Sequence, residues 1–255
     1  MRLRRLVALV GSSLLLAACS SAAPEPKATP APQIPPVANP APAIPAIEAP
    51  LLPEGVDVVA VPSERYTPMW QEPGIGPADF ALDTRNPLGR LAPLLIAGAV
   101  RSNDQDWYQV YLPLRPNGTT AWVQASDVKL RRRDERIEID LSERTLRHFV
   151  DGELVDRFKV GVGTQATPTG TGTFYVWVKV PYDNPYQPYG IMALGLSGFS
   201  PVLSDWPGGG RMAVHGTPYA SDRGQAVSHG CVRVYNEDMK ALTAVPLGTP
   251  VIIRR

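Results

Sequence analysis

Hydrophobic and polar positions follow four regimes along this chain. A basic start (Arg2, Arg4, Arg5) leads into an apolar run from Leu6 to Leu16 and then small residues, the layout of an export signal and too short to cross a bilayer. From Ser20 to about Glu54 no hydrophobic period exists, and the stretch is dominated by Pro and Ala. Between Val56 and Leu130 short alternating runs are separated by Gly/Pro turns. The clearest places Trp107, Gln109 and Tyr111 against Tyr108, Val110 and Leu112, with Asn117-Gly118 as a hairpin turn and Ala121-Trp122-Val123 as the return strand. From 137 onward the period is again mostly two: 137–141, a hairpin over 145–163 around Asp151-Gly152, a β-branched and aromatic strand over 171–180, a strand end at 212–216 and another strand from 231. Asn236 is expected to cap one short helix, Glu237 to Val245, before a closing strand from Leu247 to Ile253. The pattern predicts a mainly β protein: a small β-barrel followed by a β-rich unit of mixed sheets with one short helix.

Composition adds limits. The 255 residues include 28 Pro and 22 Gly with 19% charged, which argues against one large helical core. Lys+Arg (25) nearly cancels Asp+Glu (24), so no basic field is available to hold nucleic acid. Two cysteines do not make a disulfide scaffold in a chain of this size. The first ends Leu16-Ala17-Ala18-Cys19, which resembles a bacterial lipobox, in which the cysteine is lipidated and becomes the first mature residue. That resemblance implies an exported lipoprotein, held to the membrane through Cys19 and facing the cell wall or periplasmic space. The expected organisation is a signal over 1–18, a Pro/Ala-rich tether over 19–54, a barrel over 55–130, a solvated charged linker over 131–136 and a second domain over 137–255. As polyproline II, some 30 residues of tether reach roughly 90 Å.

The string from Trp107 to Val123, with its Pro-Asn-Gly turn, resembles the end of a bacterial SH3-like domain. Such domains often contact wall peptides; packing is the favoured role for Trp107 and Trp122 here.

Chemistry concentrates in HGTPYASDRGQAVSHGCVRV, residues 215–234. With Cys19 lipidated, Cys231 is the one thiol left, in a compartment where unused thiols are a liability. A thiol needs a base or positive dipoles to act as a nucleophile, and His215 and His229 are both candidates. Gly216 and Gly230 permit the close backbone approach by which N–H groups face an oxyanion. Which of the two imidazoles acts as the base cannot be read from spacing, although His229 is the closer in sequence.

This segment resembles the active-site signature of the YkuD-like L,D-transpeptidase catalytic domain, and GVGTQATPTGTGTF (161–174) resembles a supporting region of the same family. The resemblance covers about 137–255. It implies Cys231 as nucleophile, His215 as base with the carbonyl of Gly216 or a neighbour orienting the imidazole, and His229, Gly230 and Cys231 around the oxyanion. Ser228 and Arg233 match the motif too. Ser228 either bonds the turn or binds substrate, and Arg233 pairs either a protein carboxylate or one on the substrate. The implied substrates are peptidoglycan stem peptides, a donor tetrapeptide and an acceptor stem, joined in a 3→3 crosslink with no cofactor and no metal. A lid over the thioester is expected from residues 181–210, where Tyr182, Tyr186, Tyr189 and Trp206 either contact substrate or pack; Tyr189 and Trp206 are the substrate-binding candidates. His148 lies away from every motif and is expected to be half-exposed.

Three rivals stand beside this reading. An L,D-carboxypeptidase releasing D-Ala to water shares every residue discussed. A non-catalytic wall-binding lipoprotein explains the tether but leaves Cys231, His215 and His229 without a reason. A zinc hydrolase lacks a carboxylate in place as its general base.

Overall fold

The computed structural model describes residues 52, 55–74, 76–205 and 208–255. The expected signal, Cys19 and all but one residue of the tether lie outside the described residues.

The first half forms β1 (Asp57–Pro62), β2 (Tyr66–Met69), β3 (Phe80–Asp83), β4 (Leu94–Ser102), β5 (Gln105–Tyr111), β6 (Thr120–Gln124) and β7 (Val128–Arg133). Five of these make an antiparallel sheet in the order β6-β5-β4-β1-β7, and β2 pairs with β3 in a separate ribbon. A bridge between Trp70 and Trp122 ties the ribbon to β6, and Trp70 meets the buried Trp107 edge-to-face at 4.9 Å. Trp107 is therefore core.

Asn117-Gly118 does not close a tight hairpin. The connection between β5 and β6 runs from Leu112 to Thr119; of the pair only Gly118 has positive φ, and the Asn117 side chain instead bonds the backbone of Phe199, far along the chain.

The second half forms β8 (Glu135–Asp140), β9 (Thr145–Val150), β10 (Glu153–Lys159), β11 (Val162–Gly163), β12 (Gly172–Pro181), β13 (Met192–Phe199), β14 (Arg211–Thr217), β15 (Ala226–Ser228), β16 (Val232–Tyr235) and β17 (Pro250–Arg254). Eight strands join in a mixed sheet, β10-β9-β8-β17-β12-β13-β14-β16, in which β17 with β8 and β14 with β16 run parallel. Asp151 (φ 50°) and Gly152 (φ 82°) both take positive φ between β9 and β10, as a type I′ turn requires.

Local structure departs from expectation at several points. The charge run 131–136 is strand on either side of Asp134, with Arg131–Arg133 in β7 and Glu135–Arg136 in β8. Its signs are matched to neighbours: Arg136 reaches Asp57 at 2.8 Å, and Arg133 Nε donates to the Leu247 carbonyl at 2.8 Å. The helix α1 spans only Asn236–Met239 and passes into a 3-10 turn, Lys240–Leu242. Asn236 is itself the first helical residue, with Tyr235 at the cap position, and its side chain is bonded elsewhere, as described below. His148 is buried, 4% exposed, between Asp156 at 3.0 Å and Glu135 at 2.9 Å, so the half-exposed expectation fails.

β12 explains how the two halves meet. Its sequence, GTFYVWVKVP, is apolar on both alternations, the signature of a strand covered on both faces. Phe174 and Val176 enter one hydrophobic cluster with Ile137, Leu194, Val214 and Val232. Tyr175 enters another, with Val59, Leu94, Tyr108 and Val110, and Trp177 packs on the same side. The Tyr175 hydroxyl, fully buried, donates to the Tyr111 carbonyl at 3.3 Å.

Residues 181–210 are not one lid. Met192–Phe199 form β13, a buried strand beside β12, and only the flanking connections remain as loops. Glycines make this approach possible: a Cβ on Gly198 would lie 2.2 Å from the Phe174 ring, and one on Gly195 2.6 Å from Val178. Gly198→Ala therefore forces Phe174 out of place. It is expected to cost about 1–3 kcal/mol, read as a lower urea midpoint with unchanged m-value. An unaltered midpoint would show that the two strands separate freely.

Candidate active site

The site follows from a parallel register. β14 and β16 pair Val214 with Val232 and His215 with Arg233, and Cys231 immediately precedes β16. Side chains alternate along a strand, so Val214, Val232 and Val234 face the core while His215, Arg233 and Cys231 lie on the opposite face. A cavity of about 110 Å³ on that face is lined by His215, Ser228, His229, Gly230, Cys231 and Arg233, with Tyr189, Ser200, Leu203 and Gly210 among the other walls.

His215 is buried, and its Nδ1 lies 2.7 Å from the Gly216 carbonyl. A carbonyl only accepts, so Nδ1 carries the hydrogen and Nε2 presents its lone pair. Burial pushes the imidazole pKa from 6.5 down to about 4; the Gly216 bond opposes the shift, Arg233 adds to it and Asp222 opposes it. The half-buried Cys231 thiol is pushed up by burial, against a backbone hydrogen bond from Ala213 and the Arg233 charge. At neutral pH the resting pair is accordingly a neutral thiol and a neutral base.

The turn that carries the thiol is stitched by Ser228. Its hydroxyl donates to the Cys231 carbonyl and accepts from the Gly230 N–H at 3.1 Å, while Gly230 takes φ +116°. Of the two roles open to Ser228, the structure gives it the turn. It also engages the Gly230 N–H, one of the groups expected around an oxyanion. His229 is exposed and lines the cavity, unlike the buried His215.

Arg233 donates from Nη1 to Asp222 at 3.2 Å, and the Thr217 hydroxyl donates to the same carboxylate oxygen at 2.9 Å. Its buried Nε has no hydrogen-bond partner. Tyr189 stands edge-on to His215 at 5.0 Å and stacks on Tyr182 at 5.9 Å, whereas Tyr186 is 80% exposed. Trp206 lies outside the described residues.

Residues without a local signature hold this arrangement. Asn236 Nδ2 donates to the Pro185 carbonyl at 2.8 Å and Oδ1 accepts from the Ile191 N–H at 3.2 Å, fixing the loop that carries Tyr189. A Cβ on Gly190 (φ +59°) would lie 2.1 Å from Asn236 Oδ1 and 2.4 Å from the Gly216 carbonyl carbon. Neither Asp222 nor Asn236 carries a local site signature in the sequence: Asp222 looks like any turn residue, and Asn236 like a helix cap.

The depressed imidazole pKa has a direct consequence for stability. The unfolded chain binds a proton at His215 below about pH 6.5, but the folded chain resists until about pH 4. This contribution is complete above 6.5 and is lost as pH falls through that window, about 3 kcal/mol in all. By NMR the His215 imidazole is expected to titrate near 4; a midpoint at its ordinary value would refute the burial argument.

Residues 134–253 match the family model of YkuD, the L,D-transpeptidase catalytic domain. The curated YkuD protein of Bacillus licheniformis is 36% identical over 119 residues, 46% of this chain and 64% of the relative. That of Bacillus subtilis is 32% identical over 120 residues, 47% and 65% respectively. The chain thus spans just under two thirds of the length of these relatives. A crystal structure of a mutant Enterococcus faecium L,D-transpeptidase aligns at 26% identity with a TM-score of 0.38, covering 48% of this chain and 50% of that one. His215 and Cys231 thus lie in residues 134–253, the part of the chain that is similar to the L,D-transpeptidase catalytic domains of the YkuD family.

Proposed function

We propose that this protein is an L,D-transpeptidase that forms 3→3 crosslinks between peptidoglycan stem peptides through a thioester on Cys231. The supporting observation is the shared cavity: a thiol beside an imidazole whose Nδ1 is committed to Gly216, leaving Nε2 as the base. Cys231 Sγ attacks the carbonyl carbon between the third stem residue and the terminal D-Ala. Its proton passes to His215 Nε2 and then to the departing amine, so D-Ala leaves and the acyl group remains on sulfur. An amine of a neighbouring stem attacks the thioester, and His215 carries its proton to the departing sulfur. Because both groups rest neutral, the proton moves as the bond to carbon forms. We assign the Cys231 N–H to the developing oxyanion, since the Gly230 N–H is engaged by Ser228. Arg233 and Tyr189, at the cavity wall, are assigned to the stem peptide.

Cys231→Ala should abolish the acyl-enzyme seen by intact-protein mass spectrometry after incubation with a disaccharide tetrapeptide, and with it the crosslinked dimer formed when an acceptor stem is added. Turnover by that variant would sink the mechanism. A chelator should leave the rate unchanged while iodoacetamide stops it; inhibition by chelation reversed by Zn²⁺ would reassign His215, His229 and Cys231 as metal ligands.

We further propose that the chain is an exported lipoprotein anchored through Cys19, with residues 55–130 as an SH3-like module on a Pro/Ala tether facing the wall. The pattern of residues 1–19 and the five-stranded antiparallel sheet support this. Cys19→Ala should move the protein from the membrane fraction to the soluble exported fraction, and unchanged retention would point to a different anchor.

A further inference from the structure

Three backbone carbonyls of the loop between β13 and β14 converge on one guanidinium from the first half of the chain. Arg115 Nη1 donates to Ser200 O at 3.0 Å, and Nη2 donates to Leu203 O at 2.8 Å and Gly209 O at 3.0 Å. Two residues on, Asn117 brackets Phe199 at the start of the same loop: Nδ2 donates to the Phe199 carbonyl at 2.7 Å and Oδ1 accepts from its N–H at 2.8 Å. At the other end of the loop, Arg211 donates back to the Pro113 carbonyl at 3.2 Å.

The loop is folded tightly enough to need this donor. Its ends close through the Ser200 N–H on the Gly210 carbonyl at 2.7 Å, and Ser200 Oγ accepts from the Leu203 N–H at 3.1 Å. A Cβ on Gly210 (φ +74°) would lie 1.9 Å from the Leu203 oxygen and 2.9 Å from Arg115 Nη2. Carbonyls turned toward one point are all acceptors and cannot satisfy one another, whereas a guanidinium offers several fixed donors to that point. Ser200, Leu203 and Gly210 are also walls of the cavity that holds Cys231.

We propose that Arg115 and Asn117 are positioning residues for the reaction: from the first half of the chain they hold Ser200, Leu203 and Gly210 as the cleft wall against which the donor stem lies. The identity of the ligand rests on the function proposed above; the clamp itself does not. The geometry makes the first half of the chain part of what selects the substrate. Arg115 and Asn117 are both exposed, so replacing them removes the clamp without opening either hydrophobic cluster.

The test compares the full-length wild type with Arg115→Ala, Asn117→Ala and Arg115→Lys. With the disaccharide tetrapeptide, the two alanine variants should raise KM about tenfold with kcat within about twofold, and lysine, keeping the charge but not the fork, should recover part of the loss. Alkylation of Cys231 by iodoacetamide should stay within about twofold, because the thiol and its base are untouched. Amide exchange should rise in peptides covering 200–212 and stay unchanged elsewhere. Unchanged exchange there, a uniform rise along the chain, or wild-type KM values would each overturn the proposal. Should the wild type itself release no D-Ala, the assigned reaction falls, and exchange over 200–212 still decides the clamp.

Discussion

Phe174 and Tyr175 are neighbours in sequence and are buried in different hydrophobic clusters, and the rest of the structure is arranged around that fact. A strand with one solvated face tolerates shifts, because its outer side chains can move into water. β12 has no such face. Its position is fixed from both sides by close-packed side chains, and β13 and β14 follow from it by strand pairing. The strand that carries His215 is thus placed by packing two strands away. Burying each large side chain of this pair is worth about 1.5–3 kcal/mol, so the same residues that set the geometry also stabilise it.

The electrostatics of the site follow from that burial. A strand packed this tightly leaves His215 little solvent, and the loss of hydration lowers its affinity for a proton more than the Gly216 carbonyl restores it. The same desolvation holds the thiol protonated. A preformed thiolate–imidazolium pair gains reactivity toward any electrophile. A neutral pair reacts when a substrate brings a carbonyl to the sulfur and a polarised environment to the developing charge. Selectivity in such a site depends on the shape of its walls as much as on its nucleophile.

How much of this was legible in the sequence depends on how local each determinant is. The mainly β class, the Asp151-Gly152 turn and the segment carrying His215 and Cys231 were legible because short-range patterns encode them: alternation, two positive-φ positions, and residue types at close spacing. Asn117 and Asn236 misled for one shared reason. Each sits where an asparagine commonly serves a turn or a helix start, yet each bonds backbone tens of residues away. β13 was missed because Gly195 and Gly198 look like loop punctuation, when here they admit Val178 and Phe174 from the adjacent strand. The charged stretch 131–136 reads as a linker because what makes it strand, the pairing of β7 with β1, and the partners Asp57 and the Leu247 carbonyl are equally remote.

The parallel pairing of β14 with β16 places unequal demands on the intervening chain. Residues 218–227 leave one strand and return beside it, and no side chain of theirs need reach the sulfur. Asp222, held by Thr217 and Arg233, and Ala226, paired with Val162, tie them to the sheet, and the returning strand must enter with the same parity. One residue gained or lost within the paired register would carry Cys231 to the side now occupied by Val214 and Val232, where there is neither base nor opening. Such a chain preserves every residue of the motif while losing its chemistry. Among homologous sequences, identity of the motif residues alone is therefore a weaker sign of function than the alignment of the two strands that carry them.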